Sequence, residues 1–407
     1  MKVLHTSDWH IGRTLHDKKR HDEHRAFLDW LLQVISERQI DLLLVCGDIF
    51  DTITPGNRQL ELYYSFLRSA LDMGCRHIII IGGNHDSPSL LDAPRQVLQP
   101  MGVHVIGSAR ARAEEEVIVL HDPEGKPEAV VCAVPYLRDR DVRTSVEQED
   151  AADKSRRLAA GIAQHYEQVC AHGAAVRDSL SSWVPMIVTG HLFTTGASVL
   201  AGDGVRDLYV GTALEVSASM FPPEADYVAL GHLHVPQKVA GSDTIRYSGS
   251  PIPMGFGEAS TSKQILEVEF LPDTLFCEVE TLSVPMFQRL ERISGTLEAI
   301  EASLGQLVQQ HTSIWVEVEY EGTLSASVLR EHLETIIDQS AVQIIRLRNT
   351  TLNTHMLHGS SWQQTLDELD EREVFRRRLE METLEPEEAD QLKALYESIL
   401  FSFNEEL

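Results

Sequence analysis

The stretch that most constrains the fold is His77-Ile78-Ile79-Ile80-Ile81 followed at once by Gly82-Gly83-Asn84-His85-Asp86. A short run this apolar, bounded by glycine, reads as a strand buried on both faces. The glycines allow a sharp turn at its end. The turn then presents an amide oxygen, an imidazole and a carboxylate within three positions. One such turn is equally well a polar cap on a strand, so its meaning depends on what else the chain places at strand ends.

The pattern recurs. Lys2-Val3-Leu4-His5-Thr6 reads as a strand running into Ser7-Asp8-Trp9-His10. Ile40 to Cys46 is a second apolar run, ending in Gly47-Asp48-Ile49-Phe50-Asp51. Helical stripes separate them: Phe27, Trp30, Leu31, Val34 and Ile35 between Asp22 and Arg38, and Leu60, Tyr63, Tyr64, Leu67 and Leu71 between Arg58 and Met73. This alternation implies parallel strands with helices over the sheet, and ligands at the carboxyl ends of the strands. Further on, Val130 to Pro135, Met186 to Gly190-His191, and Asp226 to Gly231-His232-Leu233-His234 read as strands, with a helix from Ala151 to His172. Thr244 to Ser248 and Gln264 to Phe270 read as antiparallel strands. The expected fold class is α/β: a two-sheet β-sandwich flanked by helices, with a small α+β capping domain and a C-terminal helical segment. A Gly- and Thr-rich loop between His191 and Asp207 is expected to be mobile beside the strand tips.

The expected domains are 1–283 for the sandwich, 284–348 for a β-α-β-α-β unit, 349–364 for a linker and 365–407 for two short amphipathic helices. The small unit is read as a strand from Phe287 to Ile293, a helix from Leu297 to Gln310, a strand from Ile314 to Tyr320, a helix from Leu324 to Gln339 and a strand from Val342 to Arg348. In the tail, Asp370 with Glu373 fits a capping box. Val374, Phe375 and Leu379 form one apolar stripe, and Leu392, Leu395 and Ile399 the other. Helices this short do not hold together alone, so they either fold back on the body or dock on a partner, and the linker that frees them favours the partner.

The net charge of −27 argues against a simple nucleic-acid coat protein. It does not argue against a nuclease, whose metal-holding carboxylates add negative charge. Five scattered cysteines, without any C-x-x-C spacing, argue for free thiols rather than disulfides or a thiolate metal site. No apolar run is long enough to span a bilayer, and the first residues enter a strand pattern directly. The expectation is a cytoplasmic protein without membrane association. No G-x-x-x-x-G-K-[ST] is present, so P-loop nucleotide binding is not expected of this chain.

Taken together, five strand tips offer eight polar groups: Asp8, His10, Asp48, Asn84, His85, His191, His232 and His234. A lone strand-end histidine is usually a hydrogen-bonded turn residue; five clusters in order are not explained that way. Carboxylate, imidazole and amide oxygen suit Mn²⁺, Fe²⁺ or Zn²⁺. Eight groups are too many for one ion and suit two sharing a bridge. Two such ions about 3.5–4 Å apart stabilise both the attacking and the leaving oxygen of an in-line displacement at phosphorus.

Asp8-x-His10, Gly47-Asp48-x-x-Asp51, Gly83-Asn84-His85-Asp86, Gly190-His191 and Gly231-His232-x-His234 resemble, in order and spacing, the signature of calcineurin-like metallophosphoesterases. Leu4 to Gly12 and Gly249-Ser250-Pro251-Ile252-Pro253 look, more narrowly, like the nuclease subunits of bacterial ATPase–nuclease complexes. The resemblance implies one metal on Asp8, His10 and His234, a second on Asn84, His191 and His232, and Asp48 bridging them, most readily as two Mn²⁺ ions. It implies that His85 is a catalytic acid rather than a ligand, oriented by Asp51. Thr52 stands where phosphatases of the superfamily usually carry Arg, which weakens a protein-phosphatase reading and leaves the Asp51–His85 pairing open.

The resemblance further implies a 3′→5′ double-strand exonuclease and single-strand, hairpin-opening endonuclease active in DNA end processing, repair and recombination. Its implied partners are DNA (duplex ends, hairpins and single strands) and an SMC-type ATPase held by the C-terminal helices. It implies a homodimer within a heterotetramer, near the nucleoid. Arg13, His16, Lys18, Lys19 and Arg20 are the candidate DNA contacts, with a solvated surface loop as the plain alternative. A small-molecule or protein phosphoesterase and a catalytically silent scaffold are the competing functions. The capping unit argues against the first, and the complete donor set against the second.

Overall fold

The structure is a computed structural model. It describes residues 1–142, 151–194, 216–271 and 277–349, together with Tyr396. The chain divides into a unit Met1–Arg348 and a unit Asn349–Leu407. The partner-binding stripes expected at Val374, Phe375, Leu379, Leu392, Leu395 and Ile399, and the loop from 195 to 215, lie outside the described residues.

In chain order the strands are β1 (Lys2–Thr6), β2 (Thr14–Leu15), β3 (Lys18–Lys19), β4 (Leu42–Cys46), β5 (His77–Ile81), β6 (Val103–Ile106), β7 (Val117–His121), β8 (Pro127–Ala133) and β9 (Met186–His191). They continue with β10 (Tyr227–Gly231), β11 (Gln237–Lys238), β12 (Ile245–Tyr247), β13 (Gln264–Phe270), β14 (Cys277–Ser283), β15 (Arg289–Gly295), β16 (Ile314–Tyr320) and β17 (Val342–Asn349). Two six-stranded sheets result, ordered β14-β13-β1-β4-β5-β6 and β11-β12-β10-β9-β8-β7. In the first, β1, β4, β5 and β6 run parallel, and β13 runs antiparallel to both of its neighbours, β1 and β14. In the second, β8, β9, β10 and β12 run parallel, with antiparallel β7 and β11 at the edges.

The continuous apolar runs follow from this layering. Along β4 and β5, Leu42, Leu44, Cys46, Ile79 and Ile81 face the second sheet and meet Val131, Ile187, Tyr227 and Ala229. The alternate residues Leu43, Val45, Ile78 and Ile80 face outward, under the helices His21–Arg38 and Asn57–Asp72 with Phe27, Leu31, Phe66 and Leu67. The helix Ala151–Ser179 covers the second sheet through Ile162, Tyr166, Val169 and Cys170. The layers are therefore helix, sheet, sheet, helix, as the fold class expected.

Several local expectations change. Thr244 to Ser248 and Gln264 to Phe270 lie in different sheets, and β12 runs parallel to β10. The helix from Ala151 continues past His172 to Ser179 because Gly173 is not a stop. A Cβ there would come within 2.5 Å of the Cys132 sulfur, so that glycine lets the helix lie close on β8. The strands β6, β7 and β14 carry no reading in the sequence. Each is an edge strand of its sheet, where the apolar signal is thin. The basic loop is a tight β2–β3 hairpin whose turn residues His16 and Asp17 have positive φ.

Residues 289–349 form a three-stranded sheet, β15-β16-β17, backed by helices Leu297–Val308 and Ala326–Ile337 around Ile300, Leu304, Val316, Val318 and Leu333. Its other face meets the body of the sandwich through Leu290, Trp315 and Ile345 against Leu15 and Phe256.

One buried polar link joins the two large sheets. His5 on β1 faces inward with Nδ1 2.9 Å from the Tyr227 hydroxyl and Nε2 3.2 Å from the Leu230 carbonyl. Burial lowers its pKa to about 3. The unfolded chain then binds one more proton than the folded chain between about pH 6.5 and 3, so stability is full above 6.5 and falls as pH drops through that window. The loss assigned to His5 is roughly 3–5 kcal/mol over the whole window. Denaturant unfolding at a series of pH values is expected to show this slope, and His5→Asn to remove about one proton from it. An unchanged slope in the variant would contradict the assignment.

Candidate metal centre

Every polar turn singled out in the sequence lies at the carboxyl end of a parallel strand, and the two sheets bring these ends together. The approach is close enough to dictate glycine. A Cβ on Gly231 would lie 1.9 Å from the Cys46 carbonyl oxygen, and one on Gly83 would lie 2.1 Å from Asp48 Oδ1. The backbone is also held away from common conformations. Asp8, His10, Asp48 and His232 have φ of 54°, 46°, 51° and 99°, where side-chain-bearing residues cost energy to place. Hydrogen bonds from Asp8 N to the Gly47 carbonyl and His10 N to the Asp48 carbonyl, both 3.0 Å, fix the first two turns on each other. Asp86, fully buried, accepts from the amides of Ile49, Phe50 and Gly83 at 3.2, 3.0 and 2.9 Å and ties the β4 and β5 turns together.

Seven of the eight donors meet in two adjoining pockets. In one, His10 Nε2 and His234 Nε2 are 3.2 Å apart beside Asp8, and these three residues offer ligand atoms within 4.8 Å of one another. In the other, Asn84 Oδ1 is 3.0 Å from His191 Nε2 and 3.1 Å from His232 Nδ1. Asp48 Oδ2 stands between them, 3.6 Å from His10 Nε2 and 3.3 Å from His191 Nε2. Asp8 accepts from Ser7 Oγ at 2.6 Å and from His232 N at 3.0 and 3.1 Å.

These residues fit a pair of divalent ions. His191 Nδ1 donates to the Cys46 carbonyl at 2.8 Å, so once the ring is deprotonated it turns a lone pair on Nε2 toward two oxygen acceptors. Acceptors facing one another repel unless a cation or a proton lies among them. Imidazole nitrogen, carboxylate and amide oxygen with no thiolate suit borderline divalent ions.

Electrostatics agrees. Burial would lower His191, but the carboxylates of Asp48 and Asp8 outweigh it and hold its pKa near 9. Burial would raise Asp48, yet the imidazoles around it, His191 foremost, hold it well below the usual carboxylate range. Burial lowers His10, and it lowers His232 to about 3, helped by the charge on His191, so both rings are neutral.

His85 borders the first pocket, and His10, Asp51 and His85 have ligand atoms within 4.8 Å of one another. His85 Nδ1 is 3.0 Å from the Asp51 carbonyl, its amide donates to Asp48 Oδ1 at 2.9 Å, and its ring packs edge-on against His10 at 4.8 Å. The expected link between Asp51 and His85 thus runs through the Asp51 main chain. Its carboxylate lies instead 3.3 Å from His10 Nδ1 and accepts from Arg13 at 3.1 Å.

Among the candidate DNA contacts, His16, Lys18 and Lys19 are exposed on the hairpin. Arg20 is corrected: it is 2% exposed, and its guanidinium is taken up by Glu23 at 2.7 and 2.8 Å and by the Pro253 carbonyl. It begins the helix His21–Arg38 and is structural. Arg13 is largely committed to Asp51 and to the Met254 carbonyl at 3.3 Å. Glu258, behind His234, and Arg138, which donates to the Asp86 carbonyl at 3.1 Å beside Tyr136, carried no signal in the sequence, since neither sits in a strand-tip motif.

At pH 7.5 the metal-free His191 holds a proton where a cation would lie. Mn²⁺ binding is therefore expected to release about one proton, and apparent affinity to rise up to about tenfold per pH unit toward pH 9. Calorimetric titration in buffers of different ionisation enthalpy reads this directly. Equal heats in all buffers would contradict it.

The calcineurin-like phosphoesterase family matches residues 1–236, and the type 5 capsule protein repressor C-terminal domain matches residues 286–383. The chain is 36% identical to the SbcD subunit of nuclease SbcCD from Escherichia coli (strain K12) over 402 residues, covering 98% of each. It is 33% identical to the SbcD subunit of nuclease SbcCD from Bacillus subtilis (strain 168), covering 67% of each. Among solved structures, a dimetal phosphatase from Danio rerio overlaps at a TM-score of 0.40 and 11% identity, over 70% of this chain and 97% of that one. No helix among the described residues is long and apolar enough to cross a membrane. The chain belongs to the calcineurin-like phosphoesterase family and, within it, to the SbcD subunits of SbcCD nucleases.

Proposed function

We propose that this chain is a DNA phosphodiesterase that uses two Mn²⁺ ions, cutting duplex ends in the 3′→5′ direction and opening hairpins as a single-strand endonuclease. The observation that carries the reading is the meeting of Asp8, His10, Asp48, Asn84, His191, His232 and His234 in two adjoining pockets that share Asp48 Oδ2.

Asp8, His10 and His234 would hold one ion and Asn84, His191 and His232 the other, with Asp48 placed to serve both. When bound, the pair supplies Lewis-acid stabilisation of the attacking and leaving oxygens at phosphorus. The chain's own contribution is placement. The Cys46 carbonyl fixes the His191 tautomer, and the hydrogen-bonded β1, β4 and β5 turns fix Asp8, Asp48 and Asn84. The Asp51 carbonyl holds His85 Nδ1 as a donor, so in the imidazolium form its Nε2–H is left to donate to a phosphate oxygen or to pass its proton to the departing sugar oxygen, the ring then returning to neutral. Lys18, Lys19 and His16 meet the DNA backbone at the hairpin. Asp51 serves His85 through its main chain, and Arg13 serves through Asp51.

Both SbcD relatives are named as parts of an SbcCD nuclease. By that likeness the partner is an SbcC-like SMC-type ATPase, attached through the C-terminal stripes at Val374, Phe375, Leu379, Leu392, Leu395 and Ile399. The assembly is a heterotetramer around a dimer of this chain, acting on cytoplasmic, nucleoid-associated DNA. Residues 1–283 are the nuclease domain, 284–348 the capping domain, 349–364 a linker and 365–407 the attachment segment.

End-labelled duplex and hairpin DNA incubated with the chain and Mn²⁺, with and without the partner ATPase, tests the reading. Shortening from 3′ ends and hairpin opening are expected, while a nucleotide monoester is left intact. Turnover of the monoester with untouched DNA would favour a small-molecule phosphoesterase. His85→Gln is expected to bind Mn²⁺ as the parent does and to lose cleavage by about 10²–10⁴-fold. Cleavage retained with metal bound would remove His85 from its acid role.

A further inference from the structure

The two pockets differ in what stands behind His10 and His234 on one side and His191 on the other, and in their third donor, Asp8 against Asn84. Behind His10, Asp51 Oδ1 lies 3.3 Å from Nδ1, and behind His234, Glu258 Oε1 lies 3.4 Å from Nδ1. Each carboxylate is held in turn by a cation. Arg13 donates to Asp51 at 3.1 Å, and Lys263 donates to Glu258 Oε2. Lys263 also donates to the His234 carbonyl at 3.1 Å and to Ser250 Oγ at 2.8 Å, and Met254 N donates to Glu258 at 3.0 Å. In the other pocket, His191 Nδ1 meets only the neutral Cys46 carbonyl, and the third donor is the neutral amide of Asn84.

Glu258 and Lys263 are 0% and 6% exposed. Burying a pair of opposite charges costs several kcal/mol of desolvation and is often no better for stability than an apolar pair. Stability therefore does not account for the placement of Glu258 against His234. Its Oε1 has no hydrogen-bond partner, and neither has His10 Nδ1. The two contacts at 3.3 and 3.4 Å are those of a carboxylate waiting on an imidazole N–H. A carboxylate behind a metal-binding histidine fixes the ring and raises the basicity of its other nitrogen, more than a carbonyl does.

We propose that Glu258 and Asp51 are positioning residues that make the Asp8–His10–His234 pocket the tighter cation site, so that the pockets fill in order and the Asn84–His191–His232 pocket fills last. The proposal rests on the two-cation reading above. It means that the metal dependence of turnover reports the second pocket, while the first stays loaded.

The test is a Mn²⁺ titration of the full, metal-stripped chain, followed by calorimetry and by the electron paramagnetic resonance of free Mn²⁺. The parent is expected to bind in two resolved steps. Asp51→Asn and Glu258→Gln are each expected to weaken the tighter step by about 10–100-fold and to leave the weaker step where it was. Asn84→Ala is expected to remove the weaker step and spare the tighter one. Glu258→Gln leaves Lys263 buried without its counter-charge, so Glu258→Gln with Lys263→Met is measured beside it. The half-buried Asp51→Asn carries the test if both fail to fold. Variants at Asp51 and Glu258 that titrate like the parent, or that shift both steps alike, overturn the proposal, as does loss of the tighter step in Asn84→Ala. A parent that binds no Mn²⁺ takes down the two-cation reading itself.

Discussion

The structure depends on one electrostatic constraint: two carboxylates, four imidazoles and an amide oxygen are packed together out of water. Asp8, Asp48, His10, His191, His232 and His234 are all buried, with exposures of 8% or less. Groups like these do not collect by preference, because each loses hydration and several present lone pairs to one another. Something must hold them, and the backbone does. Four of the seven sit at positive φ, their turns are cross-linked by main-chain hydrogen bonds, and Asp86 draws three amides from two turns onto one carboxylate. The strain is the cost of pre-arranging a cup that cations complete.

That cost is offset by the scaffold beneath it. Two mixed sheets, parallel at their centres and apolar on both faces there, bury Leu, Ile and Val and set most of the site's polar groups at the carboxyl ends of the parallel strands. The same layering explains why the site draws on β1, β4 and β5 from one sheet and β9 and β10 from the other. Their tips converge only if the sheets pack face to face, and Gly83 and Gly231 mark where the convergence leaves no room for a side chain. His5, bonded across the gap to Tyr227 and Leu230, fixes the relative position of β1 and β10, whose ends carry Asp8 and His10 on one side and His232 and His234 on the other.

Much of this was legible in the residues. Strands buried on both faces announce themselves as apolar runs, and a glycine followed by Asp, Asn or His marks their ends. Those two signals placed β4, β5, β9 and β10, and at β1, which has no glycine, the apolar run followed by Asp8-x-His10 served instead. What was not legible has a physical cause in each case. The edge strands β6, β7 and β14 lack a doubly buried signature. Gly173 looks like a helix end but is a packing contact with Cys132. Arg20 reads as part of a basic loop because sequence shows charge and not the Glu23 that neutralises it. Glu258 and Lys263 are silent because a supporting pair acts by its place in space, and no spacing rule links either to His234.

The overall charge of −27 and a polyanionic substrate are compatible once distance is considered. Salt screens charges beyond about 8–10 Å, so what a phosphate meets is the local surface rather than the sum over the chain. Locally the balance is different. His16, Lys18 and Lys19 stand on the hairpin that packs on the small sheet. That sheet carries Arg292, Arg346 and Arg348 around a fully buried Glu317, with hydrogen bonds of 2.7 and 3.0 Å from the first two. Glu319 lies 4.0 Å from Arg292 and 3.8 Å from Arg348 as well, so two carboxylates face three guanidiniums and fix the direction in which they point. The acidic residues that dominate the count act elsewhere, and two of them, Asp8 and Asp48, are the ones that cations at the site would neutralise. Net charge over the whole chain and charge on one surface of it are therefore separate quantities, and the first does not decide the second.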